Sequence, residues 1–199
     1  METYNLAAVA KKVYDSGLEL FTSKAIKDVL EIDKESSLYS VINRLLRNNV
    51  LIRVEKGKYI LEGAKVHNFI LANFLYHPSY ISFETALNFC GVLPQFPYEV
   101  SSATNKKTVK KIIDKNLFSY AHIKGGLFWG YEKKDRFLIA LPEKALLDQL
   151  YLASKGLKKV NLDEYDFSLI NWGRFNTYLK RYPKTKQFNK IINTLKKIK

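Results

Sequence analysis

The chain has 199 residues, of which 47% are hydrophobic, and its formal net charge is +14. This composition excludes a disordered chain and leaves room for two small domains or one of medium size. The sequence has no run of eighteen apolar residues, no basic-then-apolar leader and a single cysteine, Cys90. We therefore expect a cytoplasmic protein without an internal disulfide and without a membrane partner.

The positive charge is unevenly distributed along the sequence. Residues 1–62 contain 10 Lys/Arg and 9 Asp/Glu, whereas residues 63–199 contain 23 and 10. No acidic residue follows Asp166. Such a surface attracts phosphate backbones, acidic proteins or anionic lipids, although a lysine-rich surface also serves solubility alone.

The spacing of apolar residues predicts three helices and a hairpin within residues 1–62. The helices are expected over 5–15, from Thr22 or Ser23 to about 30, and over 36–48. Strands at 51–54 and 59–61 follow, joined by a turn at 55–58. The third helix has a buried stripe of Leu38, Val41, Ile42, Leu45 and Leu46.

The opposite face of the third helix is typical of a helix that enters the DNA major groove. No acid occurs from Ser36 to Val54, small hydroxyls stand at the helix start, and arginines follow. The hairpin tip presents two lysines around Gly57. This order of elements predicts a winged helix-turn-helix; the alternative is a helical protein-interaction module followed by a chance hairpin. The predicted DNA contacts are Ser36, Ser37, Tyr39, Ser40, Asn43, Arg44, Arg47, Arg53, Lys56 and Lys58.

Residues 63–199 predict a mixed α/β domain with a small sheet and C-terminal helices, so that the whole chain is α+β. The expected elements are helices over 63–76, 83–90, 142–154, 171–181 and 185–198, and strands over 99–104, 117–123, 127–131 and 137–140. Turns are expected at 124–126 and 133–135. The candidate contacts with phosphate or a protein partner are Lys106, Lys107, Lys110, Lys111, Lys180, Arg181 and Lys184.

Nothing in the sequence favours catalysis, a metal or a cofactor. Its three histidines lack metal-ligand spacing, and Cys90 has no nearby histidine, which favours a buried apolar thiol. Glu143 and Lys144 are adjacent, so their side chains diverge. A metal-dependent nuclease stays a weaker alternative; its candidate acids are Glu84, Glu99, Asp114, Glu143 and Asp148.

Three segments resemble the AbiEi-type antitoxins of type IV toxin–antitoxin systems. They are residues 77–88, with Gly91 shortly after, residues 100–107 and residues 140–148, which read HPSYISFETALN, VSSATNKK and ALPEKALLD. With the N-terminal module, the resemblance spans nearly the whole chain. The sequence departs from the family pattern at Cys90, where the family has histidine before the glycine.

The resemblance implies a transcriptional autorepressor. Its winged module binds inverted repeats in the antitoxin–toxin promoter, as a dimer or as two monomers, and its C-terminal domain counteracts a nucleotidyltransferase-like toxin directly or only functionally. A stand-alone regulator without a toxin partner is the alternative.

Overall fold

The computed structural model describes residues 5–198, and this part of the chain divides into two compact units between His67 and Asn68. The described residues form a mixed α+β protein with eight α-helices and two sheets. The division lies a few residues beyond position 62, where the sequence placed the domain boundary.

The first unit contains three helices and three strands in its described part. They are α1 (Leu6–Asp15), β1 (Leu20–Thr22), α2 (Ser23–Leu30), α3 (Glu35–Arg47), β2 (Leu51–Glu55) and β3 (Lys58–Leu61). The sheet order is β1-β3-β2, and both pairings are antiparallel. Strand β1 was not predicted, because three residues are too few to show an alternating pattern.

Apolar side chains from all three helices and from the sheet share one core. Val13, Phe21, Ile26 and Leu45 are fully buried in it. Leu38, Val41 and Ile42 also belong to this core, as the helical spacing predicted. Burial of this stripe fixes which face of α3 points away from the unit.

The second unit contains five helices and six strands in its described part. They are α4 (Asn68–Leu75), β4 (Ser79–Ile81), α5 (Phe83–Phe89), β5 (Val100–Thr104), β6 (Val109–Ile113), β7 (Asn116–His122), β8 (Tyr131–Lys134), β9 (Phe137–Ala140), α6 (Pro142–Ser154), α7 (Trp172–Leu179) and α8 (Lys186–Ile198). The sheet order is β6-β7-β5-β4-β9-β8. Strands β4 and β9 pair in parallel, as do β5 and β7, and the remaining pairs are antiparallel.

The sequence predicted a small sheet of four strands in this unit, whereas its described part has six, and one predicted strand was wrong. Strands β4 and β6 were missed, since β4 is short and two lysines interrupt the apolar pattern of β6. Of the strand expected at 127–131, only Tyr131 lies in a strand, β8. Gly125–Leu127 is a 3-10 turn closed by the Leu127 N–H donating to Lys124 O at 2.8 Å, and residues 128–130 are irregular. Residues 133 and 134 lie in β8 instead of a turn.

Two helix predictions also need correction. The connecting helix expected over 63–76 is only α4, because the chain first makes a turn in which the Ala64 N–H donates to Leu61 O at 3.1 Å. In α8 Phe188, Ile192 and Leu195 are buried as predicted, but Ile198 is exposed. Helix α6 matches its predicted bounds and begins with Pro142 in the first turn.

Thr22 caps α2 and joins it to the edge of the sheet. Its side-chain oxygen accepts a hydrogen bond from the Ala25 N–H at 3.0 Å. Thr22→Ala removes this acceptor and should lower the free energy of unfolding by about 1 kcal/mol. Urea unfolding followed by circular dichroism measures the loss. Thr22→Ser keeps the oxygen and should unfold close to the wild type; an equal loss in both variants would contradict the cap.

Candidate nucleic-acid interface

Helix α3 presents a polar face opposite its buried stripe. Ser36, Tyr39, Ser40, Asn43 and Arg47 are exposed, and we call them the α3 face. Tyr39 is 58% exposed although it is aromatic. Of the other residues predicted on this helix, Ser37 and Arg44 are half-buried.

The electrostatics of α3 favour an anion along this face. The helix has its single acid, Glu35, in its first turn, and Arg44 and Arg47 lie in its last turn. Lys34 stands at the N-cap without a side-chain cap hydrogen bond, and the first backbone N–H groups of a helix attract negative charge. The α3 face therefore carries the exposed Arg47 near its C-terminal end and begins at a helix N-terminus that has no side-chain cap.

The β2–β3 hairpin positions the remaining predicted contacts of the first unit. Gly57 occupies the left-handed region at φ +73°, which a glycine adopts without strain, so the strands can reverse there. Lys56 is exposed at the tip, but the Lys58 ammonium lies 3.1 Å from the Glu55 carboxylate. Arg53 is exposed on β2, with its guanidinium 5.8 Å from the centre of the Tyr59 ring. A surface ion pair such as that of Lys58 is weak and can open to bind phosphate.

The predicted basic contacts of β5, β6 and their connection fall into two groups. Lys106 and Lys107 line an open cavity of 530 Å³ together with Tyr76, Asn105 and His122. We call this the Tyr76 cavity. Lys110 and Lys111, in contrast, have protein partners: the first pairs with Glu99 at 3.1 Å, and the second donates to Leu75 O at 2.9 Å.

The predicted basic contacts near the C-terminus lie around α7 and α8. Lys180 and Lys184 line a cavity of 440 Å³ between these helices. The Arg181 guanidinium lies 4.0 Å from the centre of the Trp129 ring, so part of its charge is directed at an aromatic face.

The structure also contains a buried polar network that the sequence did not predict. The Asp148 carboxylate accepts hydrogen bonds from Tyr80 Oη at 2.8 Å, Ser82 Oγ at 3.0 Å and Tyr182 Oη at 2.7 Å. It also pairs with the Lys144 ammonium, which donates to Tyr182 Oη at 2.8 Å. We call these residues the Asp148 network. The side chains of Lys144 and Asp148 are 0% exposed.

Burial and charge together set the protonation of this network. Burial lowers the pKa of the Lys144 ammonium, and the negative charge of Asp148 opposes that shift. Burial, followed by the Asp148 charge, raises the pKa of Tyr80 and of Tyr182 well above the usual value. Both phenols therefore stay protonated at neutral pH and serve as donors to the carboxylate.

Lys144 lies in the first turn of α6, and its side chain is buried against Asp148. Its four-residue spacing from Asp148 was a visible signal of an ion pair on one helix face. Their common burial depends on distant segments that supply Tyr80 and Tyr182, which no local pattern relates to α6. A Cβ at Gly130 would lie 3.0 Å from Lys144 Cγ and Cδ, so the backbone there approaches the lysine stem closely.

Four of the five candidate acids of a nuclease have other partners: Glu84, Glu99, Glu143 and Asp148. Glu84 pairs with Lys158 and accepts from Gln149, while Glu143 accepts from the Asn171 N–H at 2.8 Å. Among residues 5–198 no three His, Cys, Asp or Glu side chains come together as a metal site would need. No cluster of carboxylates in this part of the chain therefore supports metal-dependent cleavage.

Cys90 differs from its predicted environment. Its side chain is half-buried, whereas the sequence predicted a buried apolar thiol. Burial still raises the pKa of its thiol, so the thiol is a weak nucleophile at neutral pH.

Comparisons with known proteins do not assign a family. No family model matches the chain, and no curated sequence matches it. Within residues 5–198, none of the helices has the length and apolar character needed to cross a bilayer.

Lys144→Met tests how strongly the second unit depends on the Asp148 network. The substitution leaves a buried carboxylate without its cation, and we expect the free energy of unfolding to fall by about 3–5 kcal/mol. Urea unfolding followed by tryptophan fluorescence suits this test, because Trp129 and Trp172 both belong to the second unit. Lys159→Met, at an exposed position, is the control. Similar midpoints for the two variants would show that the pair is dispensable.

Proposed function

We propose that the protein binds double-stranded DNA through a winged helix-turn-helix in its first unit and acts as a transcriptional repressor. The observation that supports this most is the polar α3 face, which a buried stripe holds outward from a core of three helices and an antiparallel β1-β3-β2 sheet. The sequence from Ser36 to Val54 contains no acid that would repel phosphate.

In the proposed complex α3 enters the major groove. Ser36 and Ser40, near the helix start, allow close approach to the DNA, and Asn43 can form a bidentate contact with adenine. Arg44 and Arg47 reach guanine edges or phosphates. Lys56 and Lys58 at the hairpin tip bind flanking phosphates, which position the protein without specifying sequence.

The second unit is proposed to add phosphate attraction. The sequence before residue 63 has a net charge of only +1, whereas the sequence after it has +13. Association driven by phosphate neutralisation depends on the number of cations brought to the duplex. The exposed Lys106, Lys107, Lys180 and Lys184 are candidates for this contribution. Operator affinity should therefore be weaker without the second unit.

Arg44→Gln combined with Arg47→Gln should abolish retention of promoter DNA in a gel shift. The two guanidiniums are proposed to contact DNA directly, so their loss removes charge-assisted hydrogen bonds and reduces the salt dependence of binding by about one counterion per lost contact. The DNA fragment should come from upstream of the protein's own gene. Circular dichroism checks that the variant is folded.

The matched control is Lys11→Gln combined with Lys65→Gln. Both lysines are exposed and lie outside α3 and the hairpin, and the variant removes the same charge. Undiminished binding by the Arg44/Arg47 variant at matched salt, or equal weakening in the control, would reject α3 as the recognition helix.

We further propose that the repressor is the antitoxin of a type IV toxin–antitoxin pair. The support is the resemblance of residues 77–88, 100–107 and 140–148 to AbiEi-type antitoxins. The first and third segments contribute Tyr80, Ser82, Lys144 and Asp148, which meet in one buried network. The residues that carry the resemblance in these two segments therefore also hold the second unit together through the Asp148 network.

Co-expression with the product of the adjacent reading frame tests the antitoxin role. We expect the full chain to restore growth against that product, because the resemblance places toxin antagonism in residues 63–199. The Arg44/Arg47 variant, expressed from an unrelated promoter, should restore growth as well, since the antagonism does not require DNA reading. A stand-alone regulator would bind DNA in the gel shift and leave growth unrestored.

A further inference from the structure

The Tyr76 cavity lies beyond the carboxyl ends of β5 and β7. Strands β5 and β7 are parallel neighbours, and their pairing ends with Thr104 opposite His122. In open doubly wound α/β sheets, ligands bind in the crevice outside the carboxyl ends of the strands. The sheet here is mixed, and β5 and β7 are one of the two parallel pairs among its described strands. The cavity is formed by the connection after β5, the last residue of β7 and Tyr76, which follows α4.

The backbone of the connection after β5 is held on several sides. Thr104 Oγ1 donates to Pro78 O at 2.8 Å and accepts from the Lys106 N–H at 3.1 Å. Tyr76 Oη donates to Lys107 O at 3.0 Å. His122 Nδ1–H donates to Lys106 O at 2.9 Å. The main chain is therefore preorganised, although its side chains face solvent.

The side chains that this backbone presents are exposed and cationic or polar. Asn105, Lys106, Lys107 and His122 are all exposed, and Tyr76 is half-buried. The Lys106 ammonium lies 5.7 Å from the centre of the Tyr76 ring. None of the described residues that line the cavity is acidic, and its volume of 530 Å³ is in the range of small-molecule sites.

The neighbouring lysines show that this arrangement is not general to the surface. Lys110 is paired with a carboxylate, and Lys111 donates to a backbone carbonyl while its ammonium lies 5.1 Å from the centre of the Tyr76 ring. Lys106 and Lys107 instead line the open cavity beside Tyr76 and His122. Phosphate groups suit ammonium donors, and a nucleoside supplies a flat ring for the aromatic wall.

We propose that the Tyr76 cavity binds a nucleotide, with its phosphate between Lys106, Lys107 and His122 and its nucleoside against Tyr76. The nucleotide is either free in solution or part of a single strand. This site is separate from duplex recognition by α3 and does not depend on it. The second unit would then recognise individual nucleotides in addition to any general attraction to a duplex.

Titration calorimetry on the full chain provides the test. The probes are the four ribonucleoside monophosphates, inorganic phosphate, a short 5′-phosphorylated single-stranded RNA and a short duplex DNA of arbitrary sequence. We expect saturable binding of at least one monophosphate or of the single strand. Lys106→Gln combined with Lys107→Gln should weaken that binding by about tenfold or more, since charge-assisted hydrogen bonds are lost.

Lys115→Gln combined with Lys133→Gln is the matched control, because both lysines are exposed in the same unit and the charge change is equal. It should bind like the wild type. The ring-proton NMR signal of His122, assigned with His122→Gln, should move on titration, while those of His67 and His77 stay fixed.

The arms of the experiment separate the sources of the nucleotide. Equal affinity for a monophosphate and for the single strand identifies a free nucleotide, and much tighter binding of the strand identifies nucleic acid. Four results would overturn the proposal. Inorganic phosphate could bind as tightly as every nucleotide, or only the duplex could bind. The two double variants could weaken binding equally, or no probe could bind saturably. The gel shift with promoter DNA is read separately, so failure here leaves the α3 assignment unaffected.

Discussion

The Asp148 carboxylate is a buried charge whose hydrogen-bond partners come from separate parts of the second unit. Tyr80 belongs to β4 and Ser82 follows it, Lys144 lies one turn earlier on α6, and Tyr182 lies between α7 and α8. A buried carboxylate without donors is strongly unfavourable, so these segments must reach their positions together. The requirement fixes α6 against the sheet and ties the C-terminal helices to it. The connection after β5, with its two exposed lysines, is attached to the same sheet through Thr104.

Sequence reasoning succeeded where burial follows a local period. The stripe of α3 was visible because its members recur at helical spacing, and the bounds of α6 followed from Pro142 and the apolar run behind it. It failed for β1 and β4, because three residues are too few to show an alternating pattern. It also failed for residues 127–131, because a 3-10 turn at Gly125–Leu127 extends into the start of that segment. The partners of Asp148 could not be found in this way. Tyr80 and Tyr182 lie 68 and 34 residues from it along the chain, which is far beyond the three- or four-residue spacing that brings side chains together on a helix.

The net charge of the second unit does not by itself show which lysines are available to bind phosphate. Composition predicted a general attraction to phosphate, but several lysines have other roles. Lys144 is buried in an ion pair, and Lys158 and Lys110 are paired with carboxylates. Each such pair removes a cation from the set available to a polyanion at little gain in stability when it is exposed. The charge that remains for phosphate is therefore concentrated on fewer, identifiable side chains than the sequence suggested.

The two candidate phosphate surfaces differ in shape, and shape decides which nucleic acid each one suits. The α3 face lies on a helix with a rigid apolar core behind it, and an α-helix fits the major groove of B-DNA. The Tyr76 cavity is an open depression, and its lining combines two lysines with an imidazole and an aromatic ring. Phosphates of a continuous duplex are spaced along a convex backbone, so few of them can enter such a space at once. A single nucleotide, which exposes both its phosphate and its base, can use the lysines and the aromatic wall together, and this geometric difference is the reason to assign the two surfaces to different ligands.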